Sequence, residues 1–240
     1  MTQRCHLVAG VNLTLDRRVY RTMVVLHVKK TDDLQFLFET TVKAGVDETV
    51  KELNEIWNIQ IHIRKLIDAL EELAKYGPAK PSDKQCIDTY ATDDWGNLIN
   101  DKIQRGPHYC MDPSGKRTGE CCDPKLAEVI MRQVSDAKKV VDAKATVERR
   151  QAVTLAYFNE CMDSLRGAVM IAYPEGLPDY DEVNFMLKGE WEEDGRTLEK
   201  LTDGCELWWA GKQMEQGQDK KLSDYLGNND KTKIVCKLQK

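Results

Sequence analysis

The chain has 240 residues, of which 41% are hydrophobic and 31% charged, and its formal net charge is -5. This length suits one large globular domain or two small ones, and the acidic balance argues against a protein that coats nucleic acid. No apolar run reaches the roughly 20 residues of a membrane-spanning helix, and the N-terminus lacks the pattern of a signal peptide. The eight scattered cysteines therefore indicate free thiols in a reducing compartment.

The first third of the chain predicts a β-hairpin followed by a long helix. Residues 1–22 are a polar N-terminal extension and a candidate flexible segment. Residues 23–30 and 34–42 are rich in β-branched and apolar side chains and predict two paired strands. Apolar residues at helical spacing then predict a helix that Asp47 caps and a Gly-Pro pair ends. A break near Asn58 is an alternative, because isoleucines alternate over the next few residues.

The middle of the chain predicts a long loop and then helices. Residues 78–124 are rich in Asp, Gly, Pro and Ser and show no sustained period, which is typical of a loop. Helical patterns follow over residues 125–141 and 153–171. These helices either form an extended arm or pair antiparallel with the first helix, which would bury the apolar stripes of both. Residues 183–203 are acidic and variable in character, and no element is assigned to them.

Two adjacent tryptophans, Trp208 and Trp209, stand before an Ala-Gly pair that is typical of a hairpin. Neighbouring side chains of a strand face opposite sides of the sheet. We therefore expect Leu207 and Trp209 on the face that packs against a helix, and Trp208 on the other face. An outward tryptophan is a good anchor for a partner protein. The alternative is that the inserted helices fold back and cover it.

The two ends of the chain together resemble ubiquitin. The hairpin and helix at the start, followed by LWWAGKQM, KLSDYLGNND and KTKIVCKL, have the order of the β-grasp fold, and EGLPDYD resembles the turn that leaves the ubiquitin helix. The resemblance implies an α+β fold, a ubiquitin-like β-grasp split by a long, mainly α-helical insertion. The two parts are expected at residues 23–77 and 173–240, with the insertion at 78–172. Trp208 then matches the centre of ubiquitin's partner-binding patch, and Lys212 matches a lysine used for chain building.

A second resemblance covers most of the chain from Met23 onward. The segments MVVLHVKKTDDLQFLFET, LRGAVMIAYPEGLPDYD and ELWWAGKQM, with KLSDY and KTKI, resemble the Kurly family of cilia- and flagella-associated proteins in wording and spacing. DDWG, around Trp95, is similar to the family's acidic-Trp-Gly element. Two departures are the extra residues before Met23 and the end of the chain soon after the last strand, where relatives commonly carry a charged tail.

The Kurly resemblance implies a non-enzymatic, protein-binding adaptor of motile cilia that acts in outer dynein arm assembly and in cilium motility and orientation. Its expected partners are dynein-arm assembly factors, including a MYND zinc-finger protein, with Dishevelled and axonemal or tubulin partners as further candidates. Neither nucleic acid nor a membrane is expected as a partner. The expected location is the cytoplasm and the cilium or flagellum, at the axoneme or basal body. The alternative is a structural axonemal protein bound to doublet microtubules or to their associated proteins.

Three residues are predicted to bind partner proteins: Trp208, Lys212 and Trp95. The chain contains no G-x-S-x-G, HExxH or Walker motif, so neither an enzyme nor a cofactor is expected. The one group that we weighed as a metal site comprises His108, Cys110, Cys121 and Cys122. Zinc ligands must converge tetrahedrally, and adjacent cysteines are not usual ligand spacing. We therefore predict loop thiols rather than a metal centre.

Overall fold

A computed structural model describes residues 23–87, 95, 104–189, 205–217, 219–228 and 233–239, so the predicted extension at residues 1–22 lies outside the described residues. The strands are β1 (Val24–Lys29), β2 (Gln35–Thr40), β3 (Glu206–Trp209), β4 (Lys212–Met214) and β5 (Lys233–Gln239). The helices are α1 (Val46–Tyr76), α2 (Pro124–Val141), α3 (Ala143–Glu148), α4 (Leu155–Ala172), α5 (Glu182–Leu187) and α6 (Ser223–Leu226), with a 3₁₀ helix at Ser82–Lys84. The fold is therefore mixed α+β, which confirms the predicted class.

The five strands form one sheet in the order β2-β1-β5-β3-β4. The first and last strands, β1 and β5, pair in parallel, whereas the other neighbouring strands are antiparallel. The predicted hairpin of β1 and β2 is confirmed by this pairing. Every second residue of β1 and of β5 is buried, because successive side chains of a strand point to opposite faces. One face of the sheet therefore belongs to the core, and the other is open in its central strands.

The long helix α1 has 31 residues and runs without interruption through Asn58, so the alternative of a break there is wrong. The isoleucines that suggested the break, Ile61 and Ile63, are both fully buried, because the helix is enclosed on more than one side. The predicted cap is also wrong. The helix begins at Val46, and Asp47 lies in its first turn, where its carboxylate interacts favourably with the positive end of the helix dipole.

α2 packs antiparallel on the C-terminal half of α1, and α4 packs on both. Lys138 Nζ lies 2.6 Å from Glu71 Oε1, and Arg64 donates a hydrogen bond of 2.8 Å to the carbonyl of Val141. The alternative of an extended arm is therefore wrong, and the alternative of antiparallel pairing is confirmed. An arm would leave the apolar stripe of α2 in water, whereas the bundle buries it. Among the described residues, no helix is both long and apolar enough to cross a bilayer.

Two short helices, α3 and α5, were not predicted from the sequence. Each has six residues, which is less than two turns and too short for a helical period to be recognised. The chain after α3 also runs along the outer edge of β2. There Ala152 forms a parallel bridge with Leu37, and the amide of Val153 donates to the carbonyl of Leu37 at 2.8 Å. This contact covers an edge that would otherwise present unpaired backbone groups.

A buried carboxylate joins the place where the chain leaves α1 to the place where it enters α5. Asp181 is fully buried, and its Oδ2 accepts a hydrogen bond of 2.7 Å from the amide of Ala79. Its Oδ1 accepts a hydrogen bond of 2.9 Å from the amide of Val183, which caps α5. Ala79 and Asp181 are more than one hundred residues apart in sequence. The segment between them therefore starts and ends at the same place in the fold.

Arg117 completes this connection from within the loop. Its side chain is almost fully buried, and Nη1 lies 3.7 Å from Asp181 Oδ2 and donates to the carbonyl of Gly77 at 3.1 Å. Nη2 donates to the carbonyl of Ala69 and to Glu182 Oε1, both at 3.3 Å. One guanidinium group thus contacts the end of α1 and the start of α5. A planar group with five donors suits such a junction better than the single ammonium of a lysine.

We predict that Asp181→Ala lowers the free energy of unfolding by about 3–5 kcal/mol, because it leaves a buried guanidinium without its buried counter-charge. Urea unfolding followed by circular dichroism measures the loss. Asp179→Ala is the matched control, because that side chain is 97% exposed and only faces Lys188 on the surface. Equal effects of the two substitutions would contradict the structural role of Asp181.

Candidate protein-binding surface

The β3–β4 hairpin turns through two residues, Ala210 and Gly211. Both have positive φ, 48° and 78°, as a type I′ turn requires. The turn fixes the register, in which Trp208 lies opposite Gln213 and Trp209 lies opposite Lys212. The predicted hairpin is therefore confirmed, and its register decides which face each tryptophan takes.

The two adjacent tryptophans lie on opposite faces, as predicted. Leu207 is fully buried in the core, and Trp209 is partly buried against it. Trp208 lies on the other face, is half-buried, and does not join the core. Its Nε1 donates a hydrogen bond of 3.1 Å to Glu206 Oε2. The inserted helices therefore do not bury Trp208 as the alternative required.

The open part of this face consists of β1, β5 and β3, and we call it the outer face. At its centre lies Val235, whose side chain is 54% exposed, an unusual value for a valine in a central strand. His27 is its neighbour on β1 and bonds to Gln35 at 2.8 Å. Trp208 lies across from Lys237 on β5. A half-buried aromatic side chain and an exposed aliphatic one are thus diagonal neighbours on this face.

The far edge of the same side of the sheet is closed. Leu37 on β2 is 2% exposed, and the chain that follows α3 pairs with the backbone of β2 at this residue. The segment that follows α3 therefore closes the β2 edge of the sheet. The strands around Val235 remain exposed. Sequence reasoning missed Val235, although KIVCKL carried a signal. Its lysines alternate with apolar residues except at Val235, which lies two residues from each lysine and so shares their exposed face.

The structure does not bring the three predicted binding residues together. Lys212 lies opposite Trp209, so the register places it on the core side of the sheet, at its end and exposed. Trp95 is 86% exposed and belongs to the loop between α1 and α2, where its neighbours at 88–94 and 96–103 lie outside the described residues. Of the three, only Trp208 lies on the outer face. That all three bind partners stays a prediction.

The loop cysteines form a group of thiols beside the end of α1. Cys121 donates from Sγ to the carbonyl of Lys75 at 2.8 Å, and burial together with the nearby Cys110 and Cys122 raises the pKa of its thiol. His108 lies 3.8 Å from a carboxylate oxygen of Asp123. In the part of the chain that the structure describes, no group of three or more His, Cys, Asp or Glu could hold a metal ion.

Three further thiols, those of Cys161, Cys205 and Cys236, lie within the core. The pKa is shifted for two of them. Burial raises the pKa of Cys161 to about 11 and that of Cys236 to about 12. Both groups are therefore protonated near neutral pH, and a protonated thiol is a poor nucleophile. The stability that this protonation supports is present below about pH 9 and is lost as the pH rises through 11 to 12, because the unfolded chain releases these protons first.

Comparisons with known proteins agree, at the level of the family, with the resemblance to cilia- and flagella-associated proteins that the sequence suggested. A family model described as Cilia- and flagella-associated protein 298 matches residues 205–240, which include the β3–β4 hairpin and β5. The chain is 34% identical to the protein of that name from Danio rerio over 227 residues, covering 91% of this chain and 77% of the relative. It is 33% identical to the Homo sapiens protein, covering 90% and 76%. It is also 33% identical to the Drosophila melanogaster protein, covering 90% and 76%.

No solved structure matches the chain significantly. The identity and the coverage show that the chain belongs to the cilia- and flagella-associated protein 298 family. Membership supports a cilium-related role and a place in the cilium or flagellum. The name Kurly and the ubiquitin-like portion stay predictions.

We predict that Trp208→Ala changes the free energy of unfolding by less than about 1 kcal/mol, whereas Leu207→Ala lowers it by about 2–5 kcal/mol. The two side chains are neighbours, but only Leu207 is part of the core. Urea unfolding of both variants measures the difference. A loss for Trp208→Ala as large as that for Leu207→Ala would mean that Trp208 is a core residue.

We also predict that alkylation at pH 8 distinguishes the thiols. Cys86 and Cys110 are exposed and should react in the folded protein, whereas Cys161 and Cys236 should react only after unfolding. Mass spectrometry of peptides after timed iodoacetamide labelling gives the rate at each site. Labelling in urea is the control, in which the rates should converge. Rapid labelling of Cys236 in the folded protein would contradict its burial.

Proposed function

We propose that the protein is a non-enzymatic, protein-binding adaptor of motile cilia that acts in outer dynein arm assembly and in cilium motility and orientation. The observation that carries the proposal is the outer face, where an exposed Val235 and a half-buried Trp208 lie outside the core in a chain of a ciliary family. Trp is enriched among residues that dominate binding energy, and exposed apolar groups on a sheet mark interaction sites.

The proposed fold behind this surface is a ubiquitin-like β-grasp split by an insertion at residues 78–172. It is supported by the sheet order, in which the first and last strands pair in parallel at the centre, with α1 between them along the chain. It is further supported by the hydrogen bond from Ala79 to Asp181, which lets a long segment leave and return without disturbing the sheet. In this fold Trp208 occupies the position of ubiquitin's partner-binding patch.

A role without catalysis is supported by where the described histidines lie. His27 is on the outer face beside Gln35, whereas His62 on α1 is buried and bonds to the carbonyl of Met186 at 2.8 Å. His108 is in the loop before α2. Each of the three contacts a different local partner, whereas general acid–base chemistry needs such groups to converge on a substrate.

The proposed partners are dynein-arm assembly factors, including a MYND zinc-finger protein, and Dishevelled. A second candidate function is that of a structural axonemal protein that binds tubulin or a microtubule-associated protein. The exposed lysines of β5, Lys233 and Lys237, favour it, because they could meet an acidic filament surface. Extraction of cilia with detergent and salt separates the two candidates, since an assembly adaptor is released and a stable axonemal component is retained.

The adaptor proposal predicts that Trp208→Ala loses dynein-assembly factors in affinity capture from ciliated cells. The loss is expected because truncation of a central aromatic anchor costs about 2 kcal/mol or more, which is over tenfold in affinity. Quantitative mass spectrometry of the captured proteins measures it, after circular dichroism has shown that the variant is folded.

Met170→Ala is the matched control, because Met170 is also an exposed apolar residue but lies on α4. Trp95→Ala is tested in parallel as the second predicted anchor. If the wild type captures these factors and Trp208→Ala retains all of them, the outer face is not their docking site. If the wild type captures none, the adaptor role in dynein assembly is wrong.

A further inference from the structure

We propose that the outer face binds a single amphipathic helix of a partner protein, with a large apolar residue at its centre and a carboxylate one helical turn to either side. This inference rests on the proposed protein-binding function and adds the chemical class of the partner. It follows from the spacing, the width and the charge of the outer face.

The spacing of side chains along β5 matches that of a helix. Lys233, Val235 and Lys237 point to the same side of the sheet, because they are alternate residues of one strand. Alternate residues of a strand are separated by about 6.6 Å, and residues four apart in a helix are separated by about 6 Å along its axis. A helix that runs along β5 therefore brings one side chain over Val235 and one near each lysine. The flexible lysine side chain absorbs the small difference.

The width of the uncovered surface also suits one helix. Trp208 on β3 is the diagonal neighbour of Val235 on β5, and the two strands are about 4.8 Å apart. A helix with its side chains is about 10 Å across, so it covers both strands at once. Toward β2 the exposed surface ends, because Leu37 and Gln35 on this side of β2 are buried. The apolar centre of one helix would thus lie on Val235 and against the Trp208 ring.

The charges of the outer face select an acidic partner, although the whole chain is acidic. Lys233 and Lys237 are both exposed, and within the described ranges neither forms an ion pair. The acid nearest to Trp208 on β3, Glu206, already accepts the hydrogen bond of the indole. Of the other described acids on this side, Glu39 lies on β2, beyond Val25 from Lys233, and Glu215 lies after β4, 3.4 Å from Lys220 Nζ. Among the described residues, carboxylates on the partner would therefore meet lysines that form no ion pair within the chain.

A display library of randomised helical peptides, selected against the purified full chain, tests the inference without a known partner. We expect enriched sequences to carry Asp or Glu four residues before and four residues after a large apolar residue. Binding of these peptides should weaken about three- to thirtyfold in the Lys233→Glu, Lys237→Glu double variant, since two exposed charge pairs are lost. The exposed α2 lysines in Lys125→Glu, Lys139→Glu serve as the matched control, which should bind as the wild type does.

Three results would overturn the inference. The first is that no peptide is enriched, or that the enriched peptides lack the acidic spacing. The second is that the double variant at Lys233 and Lys237 binds them as tightly as the control variant. The third is that the chain alone forms a dimer that Val235→Asp dissociates, in which case a second copy occupies the face. None of these outcomes depends on ciliated cells, so the loss of dynein-assembly factors on Trp208→Ala remains a separate test of the proposed function.

Discussion

The buried pairing of Asp181 with Arg117 is the interaction on which the arrangement of the whole chain depends. Burying two charges is costly, and it is tolerated when the geometry satisfies their remaining donors and acceptors. Here both carboxylate oxygens accept backbone amides, and the guanidinium reaches two backbone carbonyls, Glu182 and, 3.5 Å from Nε, Glu72. Because Asp181 also bonds to Ala79, the two ends of the central segment are held together. The strands that precede and follow this segment can then meet in one sheet.

Because α1 is longer than the sheet is wide, part of it extends beyond the sheet and packs against other helices. A helix of 31 residues is about 46 Å long, whereas a sheet of five strands is only about 24 Å wide. The N-terminal half lies by the sheet, where Trp57 packs against Phe36 with ring centres 6.4 Å apart. The C-terminal half is left to α2 and α4, which bury its remaining apolar residues. One continuous helix therefore serves two packing partners, which explains why apolar residues surround it on more than one side.

The parts that were predictable are those with a long local pattern. The β1–β2 hairpin, α1, α2, α4 and the opposite faces of the two tryptophans all follow from a period of 2 or 3.6 residues. The junction was not predictable, because Arg117 and Asp181 are polar residues in segments without a period, and only the folded chain shows that both are buried. The position of Lys212 on the core side of the sheet could be predicted only from the register of the two-residue turn. A change of one residue in that register moves every side chain of the strand to the other face.

The exposure of Val235 follows from how the inserted helices cover the sheet. They close the edge strand β2, which is the strand most prone to pair with other chains, and they bury Leu37 in doing so. The central strands need no such protection, because their backbone groups are already paired on both sides. What remains open is therefore a surface of side chains only, with lysines beside an apolar centre. The lysines keep such a surface hydrated in the free protein. Its burial is favourable in free energy only when a partner supplies both apolar contact and negative charge.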